Sequence, residues 1–142
     1  MIKKQLLAVI TLVFLTISCS SDDDPRDNYP QNRDITFSIT SSDNNRLSEI
    51  EFNIEGDGIK KSESSYSESH LPKTQSYLSQ SIPYSTLLWI HYKDNSKIEN
   101  IGTPFSPYTI KLEIKVDTEI VAEKEIIINE RGAVDSLGFT FE

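Results

Sequence analysis

Side chains able to do chemistry are few in this 142-residue sequence, and they do not fall at the spacings that chemistry requires. The two histidines, His70 and His91, have no further ligand at the spacing of a zinc site. Serines are abundant, but none stands in the Gly-x-Ser-x-Gly elbow on which hydrolases expose a nucleophile. Glu49 and Glu51 form a carboxylate pair, yet glycosidic cleavage needs two acids facing one cleft. Two positions apart on a strand, they share a solvent face instead. Glu55 and Asp57 flank a glycine as calcium ligands sometimes do, but the EF-hand spacing of acids is absent. The chain is therefore read as non-enzymatic, with no metal and no organic cofactor. Cys19 is the only cysteine, so it forms no disulfide within the chain and is either reactive or modified.

The surroundings of Cys19 explain it. Met1 to Gln5 is a short basic start, and Leu6 to Ile17 is apolar apart from Thr11 and Thr16. A helix crossing a bilayer needs about 20 apolar residues, so this run is too short for a permanent span. Basic start, short apolar middle and small closing residues describe a secretory signal peptide over residues 1–18. The stretch Thr16-Ile17-Ser18-Cys19 resembles the lipobox of bacterial lipoproteins, with Thr16 where that family prefers leucine and Leu15 one position further back. The resemblance implies that Cys19 becomes the mature N-terminus and carries a thioether-linked diacylglycerol, usually with an amide-linked chain. Two or three acyl chains anchor a protein stably, whereas one holds it only marginally.

Ser21-Asp22-Asp23-Asp24 is similar to the export signal of Bacteroidota-type surface lipoproteins. That resemblance implies recognition by lipoprotein export machinery and display at the cell surface, on the outer membrane. Independently of any address, adjacent aspartates repel one another and keep the segment extended and solvated. Without an address, the same tract is a plain acidic tether on a periplasm-facing lipoprotein.

Composition narrows the partners. Loss of residues 1–18 removes Lys3 and Lys4, leaving 12 of the 14 basic residues against 22 acidic ones, a mature net charge of −10. Nucleic acid is disfavoured, because its binding draws on clustered Lys and Arg. A flat anionic membrane surface is disfavoured for the same reason, so membrane contact is expected through the lipid alone. Residues 20–33 contain no aliphatic side chain and, with the lipidated Cys19, form a tether over 19–33. Residues 34–142 then form one domain, held by packing without a disulfide.

The elements of that domain read as strands. "DITFSIT" alternates Ile35, Phe37 and Ile39 with polar residues, and "SEIEFNIE" does the same with Ile50, Phe52 and Ile54. "YTIKLEIKV" sets Ile110, Leu112, Ile114 and Val116 against Lys111, Glu113 and Lys115. Leu137, Phe139 and Phe141 alternate near the end, and no segment after residue 18 has a helical period. Gly56-Asp57-Gly58, Asp94-Asn95-Ser96 and Asp117-Thr118 mark turns, and Arg131-Gly132 is expected to close a last hairpin. Short alternating strands between turn residues predict an all-β fold, a single Ig-like antiparallel β-sandwich.

Two segments and one loop depart from simple alternation. Residues 59–83 are Ser-rich and carry Tyr66, His70 and Tyr77; they read as two weak edge strands around Pro72 or as an adaptable Ser/Tyr recognition surface. "TLLWIHYK" is apolar on both faces, the pattern of a central strand, with Leu88, Ile90 and Tyr92 on one face. Trp89 and His91 on the other face lie beneath a loop or form a binding patch. The two prolines of "GTPFSPY" stiffen a loop that presents Phe105 and Tyr108, with Phe105 capping the core as the plainer reading. Trp89, His91, Phe105 and Tyr108 are the candidate binding surface.

Residues 108–142 are similar to the closing strands of the MmpS-type transport accessory proteins: a strand, an Asp-containing hairpin, a second strand, a glycine turn and a last strand. That family has an Ig-like sandwich and assists membrane-bound exporters. The resemblance covers about a quarter of the chain and implies an accessory subunit of an envelope transporter as an alternative role. The reading that fits most of the sequence is a lipid-anchored, non-catalytic binding or interaction module of the cell envelope, with a protein or glycan ligand. A small extracytoplasmic hydrolase is the third option.

Overall fold

The computed structural model describes residues 24–97, of which 65–69 by backbone alone, and 104–142. A 3-10 turn at Pro25–Asn28 is followed by eight strands: β1 (Gln31–Ser41), β2 (Leu47–Gly56), β3 (Ile59–His70), β4 (Lys73–Ile82), β5 (Leu87–Asp94), β6 (Tyr108–Val116), β7 (Glu119–Ile128) and β8 (Val134–Thr140). They form two four-stranded sheets, ordered β4-β1-β6-β7 and β3-β2-β5-β8, with every pairing antiparallel. The protein is an all-β sandwich, as the alternation predicts.

Period-two patterning builds the core directly, because successive side chains on a strand leave opposite faces. Ile35, Phe37 and Ile39 on β1 and Ile110, Leu112 and Ile114 on β6 line the inner face of the first sheet, each with no exposed surface. Ile50, Phe52 and Ile54 on β2, with Leu88, Ile90 and Tyr92 on β5, line the inner face of the second. The Phe37 and Phe52 rings stack between the layers with centroids 5.4 Å apart. Burying each such side chain contributes about 1.5–3 kcal/mol. On the wet face of the first sheet, Lys111 pairs with Glu113 and Glu123, and Lys115 with Glu113. An acidic chain thus balances charge locally where its strands lie side by side.

The edges are guarded. The β6–β7 register sets Lys124 opposite Leu112, and its ammonium pairs with Asp135 on β8 in the other sheet. A charge on the inward side of an edge strand blocks pairing with a further strand. The Ser-rich segment 59–83 is two edge strands, β3 and β4, in different sheets, joined through the cis Leu71–Pro72 bond. β5 lies between β2 and β8, the central placement its apolar sequence predicts.

Two boundaries differ from the sequence expectation. β1 begins at Gln31, inside the expected tether, because Gln31, Asn32 and Arg33 pair by backbone with Ile82, Ser81 and Gln80. Polar side chains hide such an extension from any hydrophobic period. The Arg131-Gly132 turn is not a hairpin either: β7 and β8 belong to different sheets, and the turn carries the chain across the core. Gly132 supplies φ +75° there, a conformation glycine adopts without strain. Only β2–β3 and β6–β7 are hairpins within one sheet; the other connections cross between layers.

The connections sort to two ends. The chain enters at β1, beside the β2–β3, β4–β5 and β6–β7 connections, which form the proximal end. The β1–β2, β3–β4, β5–β6 and β7–β8 connections form the distal end, about 30 Å away along strands of this length.

Leu112→Ala is expected to cost about 2–5 kcal/mol, since it deletes a fully buried side chain. Lys111→Ala, next to it on the wet face, is expected to cost about 1 kcal/mol or less. Denaturant unfolding of the full-length chain compares the two, and equal losses would refute the assignment of faces.

Candidate functional site

A buried carboxylate organises the distal end. Leu88, Ile90 and Tyr92 point inward along β5, and the same alternation carries Asp94, the last residue of the strand, into the interior with 1% exposure. Burying a charge is costly unless it is paired or hydrogen-bonded. Here Asp94 Oδ1 accepts from the Tyr108 and Ser96 hydroxyls, both at 2.6 Å. Its Oδ2 accepts from the backbone N–H groups of Ser96 at 3.3 Å and Gly132 at 3.2 Å. The Tyr92 and Tyr108 hydroxyls lie 2.6 Å apart. Tyr108 has one proton, which goes to Asp94, so Tyr92 donates to Tyr108. The chain of hydrogen bonds runs from the second sheet (Tyr92) to the first (Tyr108) and back to the second (Asp94).

Burial pushes the Tyr92 phenol up to about 12. Burial raises Tyr108 further, reinforced by its hydrogen bond to the Asp94 carboxylate. Both tyrosines are therefore fixed as neutral groups at physiological pH.

Aromatic and guanidinium groups lie over this network. The Arg46 guanidinium sits 5.1 Å from the Phe105 ring centroid and 5.0 Å from that of Tyr108. Arg131 lies 5.6 Å from the Phe105 ring. Such contacts contribute about 0.5–2 kcal/mol each, more when water is excluded. Arg46 is further fixed by Asp43 Oδ2 at 2.8 Å and the Ser106 carbonyl at 2.8 Å. The two arginines border a cleft of about 430 Å³, lined in part also by Asp43, Leu47, Ser96 and Pro104. Its described lining comes from residues within 43–47, between β1 and the start of β2, from 96–97 and 104–106 between β5 and β6, and from Arg131 between β7 and β8.

The four candidate binding residues divide between two places. Phe105 and Tyr108 belong to the distal end, where Tyr108 is 4% exposed and acts as an inner hydrogen-bond donor. Phe105 is half-buried against the core, as a capping residue is, while also holding the two arginines. Trp89 and His91 lie on the outer face of the second sheet, both half-buried, with ring centroids 6.2 Å apart. Asn53 stands opposite Trp89 on β2 at 7% exposure, and its Nδ2 has no hydrogen-bond partner. Glu49, on the same face, pairs with Lys93 rather than facing a cleft with Glu51.

Cys19, Ser21, Asp22 and Asp23 lie outside the described residues. Asp24 caps the 3-10 turn, accepting from the Arg26 N–H at 3.0 Å and pairing with its guanidinium. Among the described residues, no group of three or more His, Cys, Asp or Glu side chains is placed to hold a metal. Arg46, Asp94 and Arg131 were not among the expected site residues. The available signal was Asp94 itself, an acid at an inward position of an apolar strand.

The buried phenols predict a decline of stability in alkali. Their folded-state values stand above the value of about 10 for an unfolded tyrosine, so the folded state holds these protons more tightly. The stabilisation is complete below pH 10 and is lost as pH rises through 12, by up to about 1.4 kcal/mol per pH unit and tyrosine. Denaturant midpoints measured from pH 8 to pH 12, a range of ~4 units around the unfolded-tyrosine value, should fall only above about pH 10. In Tyr108→Phe the fall should be shallower, and an unchanged slope would contradict the network.

No family model matches the sequence, and no curated protein matches it.

Proposed function

We propose that the chain is a lipid-anchored, non-catalytic binding module of the cell envelope, tethered through Cys19 and displayed at the cell surface by its acidic tract. The observation that carries this reading is the position of the distal cleft. The chain enters the sandwich at the opposite end, about 30 Å away along β1. A domain tethered by its N-terminal segment therefore holds this cleft away from the anchoring membrane. The cleft is lined by guanidinium, amide and hydroxyl groups supported on a rigid two-layer frame, an arrangement suited to recognition. Neither histidine and neither member of the Glu49–Glu51 pair is among its lining residues.

Fatty-acid labelling of cells tests the anchor, and protease shaving of intact cells tests the display. The wild-type chain is expected to take up label and to be digested from outside. Cys19→Ala is expected to take up none, and replacement of Asp22, Asp23 and Asp24 by alanine is expected to keep the label but lower the digestion. A wild-type chain without label would refute the anchor, and a protected but labelled chain would refute the display.

A further inference from the structure

We propose that the distal cleft binds a sugar acid, a polyhydroxylated monocarboxylate, and that Arg131 takes its carboxylate. This rests on the reading of the protein as a binding module and names the ligand class of its cleft. The Arg131 Nε is buried and has no hydrogen-bond partner. Among the described residues Arg131 forms no ion pair; its neighbour is the Phe105 ring. Arg46 differs, because its Nε and Nη2 are committed to Asp43 and Ser106. Asp94, beneath the cleft, is saturated by Tyr108, Ser96 and Gly132. Arg131 thus brings a charge and its terminal Nη donors to the cleft, with no protein acceptor assigned to them.

Among the described residues of the cleft's lining, Arg46 is paired with Asp43 and Arg131 carries a positive charge with no carboxylate partner, although the net charge of the chain is −8. An oxyanion is the complementary ligand. A carboxylate presents two coplanar oxygens that match one guanidinium fork. A monoanion also suffers less long-range repulsion from the acidic domain than a phosphate dianion would.

The remaining lining describes the body of the ligand. The exposed Asn45 and Ser106 add an amide and a hydroxyl, which match sugar hydroxyls, and Leu47 and Pro104 give an apolar wall for ring C–H groups. At about 430 Å³ the space exceeds a bare oxyanion and falls in the range of small-molecule sites, about 300–1,000 Å³.

Calorimetric titration of the full-length mature protein in detergent tests this with glucuronate, glucose and inorganic phosphate as probes. Glucuronate is expected to bind saturably and at least about tenfold more tightly than glucose or phosphate, and Arg131→Gln to lose at least about tenfold. Since Arg131 makes no hydrogen bond that the fold depends on, the variant should keep the wild-type far-UV dichroism. Glucose binding as tightly as glucuronate, phosphate binding more tightly, or an unaffected Arg131→Gln would each overturn the proposal. A photo-crosslinker at Ser106 in intact cells separates this failure from the broader one. Capture of an envelope ligand there, without heat from glucuronate, would refute the sugar acid and leave the binding module standing. No capture and no heat would refute both.

Discussion

The distal half of this sandwich depends on the need to satisfy one buried carboxylate. Strand alternation sends Asp94 inward at the end of β5, where burial removes it from bulk solvent. Donors must come from the protein, and they come from three separate segments: Tyr108 at the start of β6, Ser96 just beyond β5, and Gly132 in the β7–β8 turn. Losing one hydrogen bond to a charged group typically costs about 1.5–3 kcal/mol. The network therefore specifies where those segments lie, in addition to holding the sheets together. Through Tyr108 and Tyr92 it also joins the two layers at a level where the hydrophobic contacts between them are ending.

Arg46, Phe105 and Arg131 are consequences of that arrangement. Tyr108 fixes the approach of the loop before β6, and so the position of Phe105. Gly132 fixes the turn that carries Arg131. Arg46 closes the group from the β1–β2 connection, held by Asp43 and by the Ser106 carbonyl. The protein thus assembles a cleft with guanidinium and aromatic groups from residues far apart in sequence, at the end of the domain opposite the start of β1.

Much of the frame was legible in the sequence, because a buried strand face imposes a period of two. "DITFSIT", "SEIEFNIE" and "YTIKLEIKV" each showed it, and each lines the core where expected. The start of β1 was not legible, since Gln31, Asn32 and Arg33 join the sheet by backbone hydrogen bonds that leave no apolar trace. The β7–β8 turn was misread as a hairpin because a glycine turn looks alike whether the chain returns to the same sheet or crosses to the other. Of the site, Phe105 and Tyr108 could be singled out from a Pro-stiffened loop. Asp94 left one trace, an acid at an inward position of an apolar strand, but Arg46 and Arg131 left none, because contacts across so many intervening residues are set by the strand order and not by local pattern.

Native-state hydrogen exchange at the Gly132 amide tests the central claim most directly. That amide lies in an exposed turn, and only its bond to Asp94 Oδ2 ties it to the core. If the carboxylate network sets the distal end, the Gly132 N–H should exchange as slowly as core amides such as that of Ile90, through global unfolding alone. Exchange at the rate of an ordinary surface turn, with Ile90 still protected, would contradict the account.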